Sequence, residues 1–227
     1  MSDQRPDFHA ALKSLEETTL SMADKVEGMV AMAIRSLVNS DKTLVSQVIA
    51  DDDVVDEIYM EIRSRWMNIM ARQQPMGRDL RMMAAILEMN NTLERMGDQS
   101  VNIARIAGLT AGLPREETIL AKLQEMGDLL KPMIRTAIDA FGRRDADECL
   151  LLPAMDVPVD VLNRSMWKHV VACGNDPQLL EWATRMILVS RALERVGDQA
   201  VDIGEQVAFL LTGDHQEFLR FHDYDAD

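Results

Sequence analysis

Apolar residues recur at three- and four-residue intervals along almost the whole chain, and no run shows the strict alternation and hairpin turns that mark strands. The pattern predicts an all-α protein. Punctuation then cuts each half into three helices. Asn39-Ser40-Asp41 follows the first, Gln74-Pro75-Met76-Gly77 the second, and the stretch from Gly108 to Pro114 the third. The second half repeats the scheme, with breaks at Arg144-Asp145, from Cys173 to Pro177, and at Thr212-Gly213-Asp214. The expectation is two tandem, pseudo-symmetric three-helix bundles built from six long helices. They occupy residues 1–110 and 111–213, with an acidic tail at 214–227.

The halves are copies in sequence as well as in pattern. MADKVEGMVAMAIRSLVNSD (22–41) aligns with MGDLLKPMIRTAIDAFGRRD (126–145) at an offset of 104. TLERMGDQSVNIA (92–104) and ALERVGDQAVDIGE (192–205) align at an offset of 100. Agreement over such separate segments points to a duplicated supersecondary unit.

Within each copy, acids fall where apolar residues are expected. Counting in sevens, Glu94 shares a helical stripe with Leu80, Leu87 and Val101, and Glu194 shares one with Leu180, Ile187 and Val201. A carboxylate on such a stripe is costly unless it is paired, hydrogen-bonded or bound to a cation. One turn further lie Asp98 and Asp198, then Asn102 and Asp202. Gly97 and Gly197 add a second anomaly, because a mid-helix glycine costs about 1 kcal/mol relative to alanine. Something is expected to approach the backbone there, tight helix packing being the simplest cause. Arg95 and Arg195 follow the glutamates as ion-pair or solvated residues. Antiparallel helices rising about 1.5 Å per residue bring Asp52 and Asp56 level with Glu94 and Asp98, and Asp156 and Asp160 level with Glu194 and Asp198. Carboxylates meeting at one height resist ionisation unless a multivalent cation neutralises them. All-oxygen ligation suits magnesium, manganese, calcium or iron. The alternatives are structural pairing and a solvated acidic face.

Composition narrows the function classes. Of the 227 residues, 47% are hydrophobic and only ten are aromatic (three Trp, two Tyr, five Phe), which favours a helical core of Leu, Met, Val and Ala. A net charge of −14 argues against nucleic-acid or anionic-lipid partners, which reward basic residues. No signal-like segment and no apolar run of membrane-spanning length occurs, so a cytoplasmic protein without membrane insertion is expected. Cys149 and Cys173 lack metal-site spacing and read as buried or incidental thiols. His9, His169, His215 and His222 are scattered and read as surface residues. Neither Glu-x-x-His, nor a phosphate-binding P-loop, nor a Gly-x-Ser-x-Gly elbow is present, so no turnover is expected. A carboxylate-bridged metalloenzyme and a metal-free helical scaffold remain as alternatives. The tail carries Phe218, Leu219 and Phe221 as docking points in a segment expected to pack weakly.

The strings ARQQPMGRDLR (71–81), LERMGDQSVNIA and LERVGDQAVDIGE together resemble the PhoU family of phosphate-uptake regulators. The resemblance covers nearly the whole chain. It implies a cytoplasmic homodimer that acts as a negative regulator of phosphate uptake and of the phosphate-starvation response. The implied partners are the ATPase subunit of the phosphate ABC transporter and a phosphate-sensing histidine kinase. It also implies iron, zinc, manganese or magnesium at E/DxxxD motifs that map onto Asp52, Asp56, Glu94, Asp98, Asp156, Asp160, Glu194 and Asp198. Two departures stand out. Asp79 and Arg81 have no counterpart in GNDPQLLEWATR, and Asp202 in place of Asn102 gives the second site more negative charge.

Overall fold

A computed structural model of the chain describes residues 5–214 and residue 218. Six long helices appear at the expected places: α1 (Pro6–Asn39), α2 (Lys42–Gln73), α3 (Arg78–Thr110), α4 (Glu117–Arg143), α6 (Leu152–Ala172) and α7 (Pro177–Thr212). No strand occurs among the described residues. The element missed from sequence is α5 (Ala146–Cys149), one short turn between α4 and α6. Its cause is local: the Asp145 carboxylate accepts hydrogen bonds from the backbone N–H groups of Asp147 and Glu148, as an N-cap does. Asp41 and Asp176 cap α2 and α7 in the same way. Ser40 and Gln74 close α1 and α2 in the left-handed conformation.

Each half is an antiparallel triple. α1, α2 and α3 pack mutually, as do α4, α6 and α7, while α5 lies against α4 and α7. The halves meet most extensively through α3 and α7 and secondarily through α1 and α4, so one apolar core runs through both. Methionine fills much of it: Met22, Met29, Met83, Met89, Met96, Met126, Met133 and Met186 are fully buried.

Polar side chains fasten the halves together. Arg135 of α4 pairs with Asp24, at 3.0 Å, and with Glu27 of α1. Arg144 reaches Glu16 at 2.7 Å. Arg81, the residue without a counterpart in the second half, donates from Nε to the Leu210 carbonyl at 3.2 Å. Its guanidinium lies against Gly213, the left-handed residue (φ 84°) that closes α7. It therefore satisfies an orphan carbonyl and places positive charge at the negative end of α7. Asp79 faces His9 at 3.8 Å. Arg81→Ala is expected to lower stability by about 1–2 kcal/mol, read as a lower urea midpoint. An unchanged midpoint would reduce the contact to an incidental one.

Candidate functional site

α2 offers its bundle one narrow stripe. Val48, Val55, Ile62 and Ile69 are buried, with half-buried Tyr59 and Trp66 between them, and Asp52 stands at the remaining position of that spacing, between Val48 and Val55. In α6 the corresponding stripe runs Leu152, Asp156, Val159, Asn163, Met166, Val170. Two layers of each stripe are thus polar. In the lower one, Asn90 Nδ2 donates to the Tyr59 carbonyl at 3.2 Å in the first half, and Ser190 Oγ donates to Asn163 Oδ1 at 2.7 Å in the second. Polar residues at equivalent positions of α3 and α7 thus each donate to the neighbouring helix, while the buried Asn90 Oδ1 accepts no hydrogen bond among the described residues.

In the acidic layer the register derived from the antiparallel count holds. The Asp52 carboxylate lies over Gly97, where a Cβ would meet Oδ1 at 3.2 Å. The Asp156 carboxylate lies over Gly197 still more closely, and a Cβ there would collide with Oδ1. The residue approaching the backbone at both glycines is thus an acid of the preceding helix, within the helix packing already expected. Absence of a side chain at 97 and 197 is what admits the acid.

The acids act on one another. Burial first, then the charges of Asp56, Asp98 and Asp53, push Asp52 up to about 6, against the opposing pull of Arg105. Glu94 is raised by burial and by Asp98 and Asp56, with Arg95 opposing. Glu194 is raised by burial and by Asp198 and Asp160, with Arg195 and Arg191 opposing. The second cluster is the more enclosed: Asp156 and Asp160 are each only 7% exposed, whereas Asp52 is half-buried and Asp56 exposed. Arg164 approaches Asp160 at 4.0 Å from the next turn of α6.

All eight acids singled out from sequence thus lie along two seams, α2 with α3 and α6 with α7. Among the described residues, no group of three or more His, Cys, Asp or Glu side chains is disposed as a metal-ligand set. The donors form lines of coupled carboxylates rather than a closed shell. Their chemistry fits a hard cation, being all oxygen, with Asp52, Glu94 and Glu194 raised by burial and then by the neighbouring carboxylates.

The stripe bearing Glu94 and Glu194 needs correction. It forms the margin of the core rather than its interior, since Leu80 is 43% exposed and Leu87, Leu180 and Ile187 are half-buried, while Val101 and Val201 are buried. Both cysteines are buried free thiols, and burial together with Asp145 and Glu148 pushes Cys149 up to about 12, which makes it inert at neutral pH. His9 is exposed, as expected, but His169 is half-buried in the last turn of α6. His215 and His222 lie outside the described residues. So do Leu219 and Phe221 of the tail, but Phe218 is buried, its N–H donating to Glu205 at 2.9 Å and its ring reaching Gly204 of α7. Phe218 is therefore an internal anchor rather than an exposed docking point. No described helix is long and apolar enough to cross a membrane.

Comparison with known proteins agrees with the doubled geometry. The chain is 33% identical over 216 residues to the phosphate-specific transport system accessory protein PhoU homolog 1 of Thermotoga maritima, covering 94% of this chain and 93% of that protein. It is 31% identical over 207 residues to the PhoU homolog of Pseudomonas putida, covering 91% and 81% respectively. The crystal structure of PhoU from Pseudomonas aeruginosa superposes with a TM-score of 0.85 at 32% identity, over 91% of this chain and 100% of that one. A PhoU structure from Streptococcus pneumoniae shares the fold, with a TM-score of 0.83 at 24% identity over 92% and 99%. The PhoU domain model matches twice, over residues 19–107 and 123–207, one match to each half. With two such matches spanning most of its length, the chain belongs to the PhoU family.

Proposed function

We propose that this protein is a cytoplasmic accessory of a phosphate transport system that restrains phosphate uptake and the phosphate-starvation response when phosphate is plentiful. The observation that carries the reading is likeness over nearly the full length to proteins named as phosphate-specific transport system accessory proteins. Its partners are the ATPase subunit of the transporter and the phosphate-sensing histidine kinase, and it works as a homodimer in which each chain is divided into two bundles at 110/111. No catalytic step is involved. In a strain lacking the protein, a starvation-gene reporter is expected to stay on in high phosphate and to be silenced by the restored gene. A reporter that stays silent without the protein overturns the regulatory role.

The acidic seams hold divalent or trivalent metal ions, drawn from iron, zinc, manganese or magnesium. Asp52, Asp56, Glu94 and Asp98 serve one site, and Asp156, Asp160, Glu194 and Asp198 the other. A bound cation would supply charge neutralisation, easing the repulsion that adds to burial in raising Asp52, Glu94 and Glu194, and tying α2 to α3 and α6 to α7. The greater enclosure of Asp156 and Asp160 favours the second site. The test is elemental analysis of protein purified without an affinity tag, beside the double variant Glu94→Ala, Glu194→Ala. Near-stoichiometric metal that is lost in the folded variant supports the sites. Metal-free protein that takes up none of the four ions leaves the seams as structural elements of a scaffold.

A further inference from the structure

The acids are not the only charges the fold gathers. Between α3 and α7, where the halves meet, runs a groove of about 370 Å³. Arg105, Asn102 and Gln99 line it from α3, and Arg191, Arg195 and Leu188 from α7. Three guanidiniums thus converge in a chain whose net charge is −14. Arg191 and Arg195 are one turn apart and so share a face of α7, with Arg105 opposite. Among the described residues none of the three makes a hydrogen bond or a contact ion pair. They act only at longer range, Arg105 on Asp52, and Arg191 and Arg195 on Glu194.

Solvated arginines on a helix surface are common, but the duplication supplies an internal control. Residues 100 positions away occupy the same places in the other copy of the helix. Arg105 corresponds to Glu205, Arg191 to Asn91, Asn102 to Asp202 and Leu188 to Glu88, while Arg195 and Gln99 keep their identities as Arg95 and Gln199. The groove therefore carries three positive charges, and the equivalent set carries one positive (Arg95) and three negative (Glu88, Asp202, Glu205), a net of −2. The same helical frame tolerates either charge. Packing of α3 on α7 does not require the arginines, and Asp52 and Glu194 offset their mutual repulsion only at longer range.

We infer that this groove binds a phosphate-class oxyanion, either free inorganic phosphate or the phosphoryl group of a nucleotide. Guanidinium forks match a tetrahedral dianion with paired N–H donors, and the carboxamides of Gln99 and Asn102 add neutral ones. Leu188, 56% exposed, gives the groove an apolar wall. The preference for phosphate among oxyanions rests on the function proposed above, while the inference of an anion rests on the groove alone. Because the same arginines face Asp52 and Glu194, occupancy of the groove is coupled to the acidic seams on either side.

The experiment is isothermal titration of the full-length protein in chelator, at fixed ionic strength, with inorganic phosphate and separately with ADP. Wild type is compared with Arg105→Gln, Arg191→Gln and Arg191→Lys, whose side chains at these exposed positions leave the core untouched. Saturable heat is expected with at least one ligand, weakened about ten- to a hundred-fold by each glutamine variant, with lysine restoring part of it. Saturation by phosphate alone identifies the free anion, and saturation only by ADP identifies a phosphoryl group. No saturation by either, or equal affinity in all variants with unchanged melting curves, overturns the site. A starvation reporter still governed by the protein would then leave the regulatory role standing without the groove.

Discussion

Gly197→Ala is expected to destabilise the protein by about 2 kcal/mol, lowering its melting temperature by about 4–8 °C for a chain of this size. Alanine in place of a mid-helix glycine ordinarily gains about 1 kcal/mol. The reversal comes from Asp156, whose Oδ1 occupies the place a Cβ would take, and from Leu130, whose Cδ2 is 3.4 Å from it. Asp156 is short, 7% exposed and packed between Leu152 and Val159, so it cannot swing into solvent without vacating a core position. Gly97→Ala is the matched control. There the Cβ would stand 3.2 Å from Asp52 Oδ1, and half-buried Asp52 can yield a few tenths of an ångström, so the change is expected to fall within about 0.5 kcal/mol of neutral. Combining Gly197→Ala with Asp156→Ala should cost less than the sum of the two, with a coupling of about 1 kcal/mol or more. A Gly197→Ala variant that melts higher than wild type would show that the carboxylate does not depend on the glycine.

The contrast between these two glycines also shows what could be read before any coordinates. The antiparallel count that set Asp52 beside Asp98 and Asp156 beside Glu194 and Asp198 needs only helix rise and turn position, both local properties. It was accurate enough to place the seams, and the repeat checked it twice. The burial of the glutamate stripe was misjudged because seven residues fall about 20° short of two full turns. From Leu80 to Val101 that drift accumulates over three heptads, carrying the stripe from 43% exposed at Leu80 to 3% at Val101. Contacts distant in sequence were invisible for another reason. Arg81 meets Leu210 across 129 residues, and Phe218 folds back onto Glu205, and no periodicity encodes either pairing. The four-residue α5 is too short to show a period at all and is specified by its Asp145 cap alone.

Asp52→Asn is expected to raise stability at pH 7.5 in metal-free protein by about 1 kcal/mol, or about 2–4 °C, with the gain fading as the pH is lowered towards 4.5. Asp52 titrates at about 6 in the folded protein against an ordinary 3.8. The folded state therefore holds this proton more tightly than the unfolded state does. Between those two values folding takes up protons, so the group's contribution becomes less favourable as pH rises, and above about 6 the whole penalty is present. The modest figure allows for solvent screening at a half-buried site. Asparagine keeps the shape over Gly97 while removing the charge that Asp56 and Asp98 repel. The comparison with metal is the sharper half of the experiment. If a cation occupies the seam, the ionised carboxylate becomes an asset, and in saturating manganese the order reverses, with wild type melting above the variant. Reversal on adding manganese and return on adding chelator would mark Asp52 as a ligand whose repulsion is tolerated for the sake of binding. A variant equally destabilised at both pH values, with or without metal, would instead make the Asp52 carboxylate a structural acceptor of the α2–α3 seam.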